Sequence, residues 1–192
     1  QDKSDSFTLR GIITAVAAGK RSDSQTKAAV ENLFLAAESW GLFSEKGLRI
    51  SEIIAPGQIT VLDVSPYTTM SSNVRALVIG LVCRKLFNER MLVRKKEELA
   101  EIKRTSFAGS RGYEAKKEVP LIWMLLDEAH EFLPKHGVTA ATQPLITLLR
   151  EGRQPGISLV LASQQPGQIH TDVMSQSDVV IAHRITAKID TD

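Results

Sequence analysis

A run of six apolar residues that ends on two adjacent carboxylates constrains this 192-residue chain more than any other feature. The run occupies positions 121–126, and Asp127 and Glu128 follow it directly. An apolar run of this length predicts a strand that is buried on both faces, as in a parallel sheet covered by helices. The two carboxylates would then lie at the carboxyl end of the strand, the edge where open α/β sheets bind ligands.

An apolar strand followed by Asp127 and Glu128 matches the Walker B pattern of nucleotide hydrolases. In that pattern the first carboxylate holds Mg²⁺, directly or through water, and the second polarises the attacking water. The alternative is a buried strand followed by an acidic helix start, where carboxylates interact favourably with the helix dipole. The flanking sequence favours nucleotide hydrolysis.

The composition is that of an ordinary globular protein, with 43% hydrophobic and 24% charged residues. Aromatic residues make up only 5%, which argues against a stacking platform for single-stranded nucleic acid, and a net charge of +2 is too small to indicate DNA binding by itself. The single cysteine, Cys83, lies in an apolar stretch and predicts a buried thiol in a reducing cytoplasm. No run approaches the roughly 18 apolar residues that span a bilayer, so we expect a cytoplasmic protein without membrane contact.

Apolar spacing along the chain predicts helices that alternate with strands. Helical spacing occurs over residues 7–56, 71–90 and 142–151, with candidate caps at Ser22, Asp23 and Ser24 and a turn at 56–57. β-branched apolar runs predict further strands at 59–64, 157–162 and 178–182. We therefore expect an α/β fold with a mainly parallel sheet flanked by helices.

The segment 94–118 is rich in Lys, Arg and Glu and is interpreted as a mobile insertion. A solvated helix end and loop is favoured here over an element that contacts DNA. On charge alone, the candidates for contact with DNA phosphates are Lys95, Lys96, Lys103, Arg104 and Arg111.

The strand predicted at 157–162 ends on a polar run that begins Ser163-Gln164. A polar side chain at the tip of the strand beside the carboxylates can touch the γ-phosphate or the attacking water, which would make Gln164 a sensor. The alternative is a turn residue that satisfies backbone groups. A carboxylate-tipped strand about 36 residues upstream favours the sensor.

Arg153 follows Gly152 on a short loop and could reach beyond its own subunit. Its guanidinium is a rigid, charged fork that suits phosphate oxygens. Supplied in trans, it would stabilise charge on the transferring phosphoryl group. The alternative is a cation near a helix C-terminus, where positive charge is mildly favourable.

Four spaced motifs together resemble the HerA/FtsK superfamily, most closely its HerA branch, over about residues 25 to 190. They lie at 56–63, 126–130, 152–156 and 163–166. The resemblance implies a RecA-like P-loop NTPase core, truncated at both ends, from a homo-hexameric ring around double-stranded DNA. It also implies ATP hydrolysis between subunits and partnership with a NurA-like nuclease in DNA end resection and repair.

Carried over residue by residue, the resemblance gives Asp127 the Mg²⁺ role and Glu128 the role of catalytic base. Arg153 becomes the trans arginine finger and Gln164 the sensor of the nucleotide. Residues 1–56 would be a helical segment of the ATPase domain. Residues 57–192 would be the C-terminal part of the RecA-like core.

The chain departs from the family because it carries no Walker A loop, whose pattern is G-x-x-x-x-G-K-[ST]. Gly19 and Lys20 are the nearest match, but Arg21 stands where Ser or Thr is needed and Thr14 where the first glycine is needed. We expect this loop, its strand and an N-terminal barrel to precede Gln1 in a longer protein. The 192-residue chain by itself is then expected to hydrolyse ATP negligibly.

Other functions remain open. DEAH-box RNA helicases share the string at 127–130, but their arginine-rich motif lies in a second domain farther along the chain, so the motif order argues against them. A non-catalytic interaction module and a DNA pump in conjugation or segregation are also compatible. His130 and His136 are not accompanied by a matching Cys or His cluster, which argues against zinc.

Overall fold

The computed structural model describes residues 8–19, 22–44, 47–67, 72–106 and 119–183. The chain divides into two compact units, residues 1–49 and residues 50–192. None of the described helices is both long enough and apolar enough to cross a membrane.

The first unit is built on two helices that contact each other, α1 (Leu9–Ala18) and α2 (Ser24–Glu38). The side chain of Asp23 caps α2 by accepting a hydrogen bond from the Thr26 N–H at 2.7 Å, which confirms the predicted cap. That backbone hydrogen bond, together with one from the Thr26 hydroxyl, holds the pKa of Asp23 below its ordinary value.

The second unit contains a two-stranded parallel sheet, β1 (Ile122–Leu126) and β2 (Ile157–Leu161), with Ile122 opposite Ile157. Its helices are α3 (Ile50–Ile53), α4 (Ser72–Ser106), α5 (Thr142–Glu151) and α6 (Thr171–Gln176). Short 3₁₀ turns lie at Ser65–Tyr67, Ala129–Glu131 and Pro166–Gln168. The α/β class, the two strands and α5 are therefore confirmed, with a sheet smaller than expected.

The core of this unit lies between one face of the sheet and helices α4 and α5. Helix α4 comes so close to the turn before α5 that a Cβ atom on Gly80 would lie 2.5 Å from the Ala140 carbonyl oxygen. Cys83 is fully buried one turn further along α4, as predicted, with its Sγ 3.9 Å from the Met124 Sδ. Burial raises the pKa of the Cys83 thiol to about 12.

The other face of the sheet is exposed in the described part of the chain. Trp123 and Leu125 alternate with the core-facing residues of β1 and are 73% and 72% exposed. The prediction that β1 is buried on both faces is therefore wrong for the described residues. The reason is that the helices that contact the sheet pack on the face that carries Met124.

Two predicted strands, 59–64 and 178–182, are not strands in the structure, so both predictions are wrong. Ile59 is 90% exposed and Ile181 is 80% exposed. Their β-branched composition favours extended backbone, but a strand also needs a neighbour to accept and donate its hydrogen bonds. Among the described residues the sheet consists of β1 and β2 alone, and apart from it one isolated antiparallel bridge joins Pro134 to Ile169.

Helix α4 is much longer than the predicted helix at 71–90, and it includes much of the segment interpreted as a mobile insertion. The interpretation is wrong for residues 94–106, which are helical. Arg94 lies 3.1 Å from Glu98 one turn away, the kind of ion pair that supports an exposed helix. Residues 107–118, including Arg111, and the side chain of Arg104 lie outside the described residues.

One buried arginine on α4 holds the segments that precede both strands. The Arg90 Nε donates to the Pro155 carbonyl and its Nη1 to the Val119 carbonyl, each at 2.7 Å. The side chain is 1% exposed, and Glu97 lies 3.5 Å away. No sequence pattern distinguishes Arg90, because its neighbourhood has the spacing of one side of an ordinary amphipathic helix.

Candidate active site

The carboxyl ends of β1 and β2 stay joined beyond the strands themselves. The Ala162 N–H donates to the Leu126 carbonyl, and the Ala129 N–H donates to the Ala162 carbonyl, each at 2.9 Å. These bonds join the residues that follow β1 to those that follow β2. As a result, Asp127 and Glu128 are fixed beside the residues that follow β2.

Glu128 adopts the left-handed backbone conformation, with φ 47° and ψ 46°, and is the one non-glycine residue with positive φ among those described. This conformation costs a residue with a Cβ atom about 1 to 2 kcal/mol. Its N–H donates to the Asp127 Oδ1, and its carbonyl accepts from the Glu131 N–H, each at 2.9 Å. The surrounding hydrogen bonds therefore hold Glu128 in a strained geometry, as is common at functional sites.

The side chains of Glu128 and Gln164 contact each other directly. The Gln164 Nε2 donates to the Glu128 Oε1 at 2.6 Å, a short bond for an amide and a carboxylate. One residue follows β1 and the other follows β2, so the parallel pairing of the strands brings them together.

His130 and Ser163 form a second contact between the same two chain segments. The His130 Nδ1 lies 3.0 Å from the Ser163 Oγ and 3.4 Å from the Glu128 Oε2. The Oε2 atom is buried and has no hydrogen-bond partner. The sequence suggests His130 only as a metal ligand, although its position two residues after Glu128 also indicates this neighbourhood.

Asp127 is exposed, and its Oδ1 accepts the Glu128 N–H. Within the described ranges, no group of three His, Cys, Asp or Glu side chains could hold a metal ion. Mg²⁺ is usually bound by one or two protein carboxylates, with phosphate oxygens and water completing its shell. A single exposed carboxylate at this position therefore fits a Mg²⁺ that arrives with a nucleotide.

Arg153 lies apart from these residues. It is exposed on the loop between α5 and β2, four residues before Ile157, at the opposite end of β2 from Gln164. Since a five-residue strand spans roughly 16 Å, Arg153 does not join the contact between Glu128 and Gln164 in the same chain. The loop is tightly built, because a Cβ on Gly152 would lie 2.4 Å from the Leu148 carbonyl oxygen.

The chain is similar in sequence to curated archaeal proteins. The DNA double-strand break repair helicase HerA of Pyrococcus furiosus is 29% identical over 147 residues, which cover 72% of this chain and 26% of that protein. Over this span the chain resembles HerA. The probable DNA double-strand break repair helicase HerA of Methanocaldococcus jannaschii is 39% identical to this chain over 64 residues, which cover 33% of this chain and 13% of that protein.

A probable helicase of Methanocaldococcus jannaschii is 35% identical over 69 residues, which cover 36% of this chain and 14% of that protein. The chain therefore spans about a quarter or less of the length of the curated relatives it matches. No family model matches the sequence. The predicted resemblance to the HerA branch is confirmed by these relatives.

Proposed function

We propose that this HerA-like chain supplies the hydrolytic part of an ATP site in a helicase that translocates double-stranded DNA. The proposal is carried by the 2.6 Å contact between Glu128 and Gln164 at the carboxyl end of two parallel strands. That edge is where open α/β sheets bind ligands. The helicase names of the relatives favour the same function. In this proposal the sheet belongs to a RecA-like core.

Each residue of the proposed site has a distinct task. Glu128 would take a proton from the attacking water. Gln164 would turn its amide from Glu128 to the γ-phosphate and so report that ATP is bound. Asp127 would hold Mg²⁺, which neutralises charge on the phosphate oxygens when it is bound.

Arg153 would act on the ATP of a neighbouring subunit. It is exposed and lies at the far end of β2 from Glu128. In its own chain it would therefore not reach a phosphate that is bound beside Glu128. An arginine supplied in trans would stabilise charge on the transferring phosphoryl group. This role requires a ring of subunits, which we propose to be a homo-hexamer, and a phosphate-binding loop from another part of a longer protein.

The wider role that we propose is DNA end resection and repair in the cytoplasm, together with a NurA-like nuclease. The repair role is supported by the names of two relatives, which describe double-strand break repair. Lys95, Lys96 and Lys103 are exposed on α4 and are candidates for contact with DNA phosphates.

The decisive experiment substitutes Glu128 in a protein as long as the curated relatives that contains this chain. Glu128→Gln keeps the shape of the side chain but removes the base, so kcat for ATP should fall at least about 100-fold, with and without duplex DNA. The KM for ATP should change little. The 192-residue chain alone should show negligible turnover in the same assay.

The matched control is Glu131→Gln, three residues away. Glu131 pairs with Arg75 at 2.8 Å and does not contact Gln164, so its substitution should leave kcat within about twofold. Full activity in Glu128→Gln, or an equal loss in both variants, would show that Glu128 is not the base.

A further inference from the structure

His130 lies beside the one carboxylate oxygen of Glu128 that Gln164 does not bind. Its Nδ1 is 3.4 Å from the Glu128 Oε2, whereas the Gln164 Nε2 binds Oε1. The Glu128 side chain is 34% exposed and the His130 side chain 15%. The carboxylate therefore lies between an amide on one side and an imidazole on the other.

The imidazole itself is held from the β2 side of the sheet. Its Nδ1 is 3.0 Å from the Ser163 Oγ, and Ser163 is in turn fixed by accepting the Gln165 N–H at 3.1 Å. The backbone next to His130 is tied to the same segment, because the Ala129 N–H donates to the Ala162 carbonyl. The ring thus has little freedom to move away from Glu128.

We infer that His130 is a positioning residue that, anchored by Ser163, fixes the direction of the Glu128 carboxylate during hydrolysis. This inference rests on the function proposed above. When Gln164 turns to a γ-phosphate, Glu128 loses its hydrogen bond from that amide. In the described part of the chain, His130 is then the polar side chain that remains beside the carboxylate. General-base catalysis depends on the placement of the base, so this contact acts on the rate of the chemical step.

The test compares His130→Ala, His130→Asn and His130→Gln in the long protein described above. Loss of the ring should lower kcat about tenfold or more, because misplacing a base forfeits part of its effect, while the KM for ATP stays within about twofold. Asn carries a nitrogen at the position of Nδ1 and should restore most of the activity. Gln carries its nitrogen one atom further out and should restore less.

Two further variants separate a local effect from a general one. His136→Ala removes an exposed histidine on the same connection and should leave kcat within about twofold. Ser163→Ala removes the anchor of the ring and should reduce kcat by less than His130→Ala does. In a Glu128→Gln background, His130→Ala should cause no additional loss, because His130 acts through Glu128.

The outcomes distinguish this inference from the proposed function. If Glu128→Gln abolishes turnover while His130→Ala keeps it, the positioning role is overturned and the proposed function stands. If Glu128→Gln keeps turnover, the proposed function itself fails. Should His130→Ala fail to fold, the Asn and Gln variants still decide, since equal activity in the two would overturn the role of Nδ1.

Discussion

Arg90 is a buried cation that donates hydrogen bonds to carbonyls just before the two strands. It is 1% exposed, and its guanidinium donates to the Pro155 and Val119 carbonyls. A buried charge is costly unless it is paired and hydrogen-bonded, and Glu97 at 3.5 Å supplies the opposite charge. Because these bonds lie at the start of the sheet, Arg90 stabilises the fold there.

We expect Arg90→Met to lower the free energy of unfolding by about 3 kcal/mol, because two carbonyls would lose a charged donor and Glu97 would lose its partner. Arg94→Met, one turn further along α4, removes a side chain that is 43% exposed and should cost less than about 1 kcal/mol. Urea denaturation followed by circular dichroism measures both. Similar losses in the two variants would contradict a special role for Arg90.

The thiol of Cys83 should be unreactive in the native protein. Its pKa of about 12 leaves roughly a thousandfold less thiolate at pH 8 than an ordinary pKa of 9.0 would. Because the pKa is raised by folding, its contribution to stability is full below pH 9 and decreases as the pH rises toward 12. Labelling with a thiol reagent at pH 8 should be slow until guanidinium unfolds the chain, and fast labelling of the native protein would contradict the burial.

At the scale of elements, apolar runs bounded by turn signals were sufficient to predict β1, β2 and α5. The runs at 59–64 and 178–182 were misread, because composition reports a preference for extended backbone but not the presence of a partner strand. The predicted helix at 71–90 ends earlier than α4 does. Beyond residue 90 the apolar spacing fades, and ion pairs such as Arg94 with Glu98 support the helix instead.

In the candidate site, the approach of Glu128 to Gln164 was predictable from the sequence, whereas the contact between His130 and Ser163 was not. Neighbouring parallel strands with polar tips must present those tips at one edge, which brings Glu128 near Gln164. The contact between His130 and Ser163 depends on the left-handed backbone of Glu128 and on the 3₁₀ turn Ala129–Glu131, neither of which a sequence pattern signals.

The close approach of α4 to the turn before α5 makes Gly80 a sensitive position. Ala has a better helix propensity by about 1 kcal/mol, but its Cβ would lie 2.5 Å from the Ala140 carbonyl oxygen. We therefore expect Gly80→Ala to destabilise the chain by about 2 kcal/mol, because backbone must move to relieve the overlap.

Leu81→Ala is the matched control on the same turn. Leu81 is 47% exposed, so its substitution by Ala should lower the free energy of unfolding by less than about 1 kcal/mol. Thermal unfolding compares the two variants, and a Gly80→Ala protein as stable as the parent would refute the close contact.

At the scale of the whole molecule, the distance between Arg153 and Glu128 along the sheet predicts complementation between subunits. Arg153→Ala and Glu128→Gln proteins of full length should each be nearly inactive. Mixed at equal amounts, about a quarter of the interfaces would combine an intact Arg153 with an intact Glu128, so ATPase activity should reappear. The measurement is turnover of the mixture against each variant alone, and the absence of recovery after confirmed subunit mixing would exclude action in trans.

The hydrogen bonds from Arg90 to the Pro155 and Val119 carbonyls affect the position of residues at the opposite edge of the sheet. By fixing the starting points of β1 and β2 against one guanidinium, they prevent one strand from sliding along the other. A slip of a single residue would displace Glu128 from Gln164 by about 3.3 Å and turn one of the two side chains to the opposite face. A buried cation at one end of the sheet would thereby determine whether Glu128 and Gln164 meet at the other end.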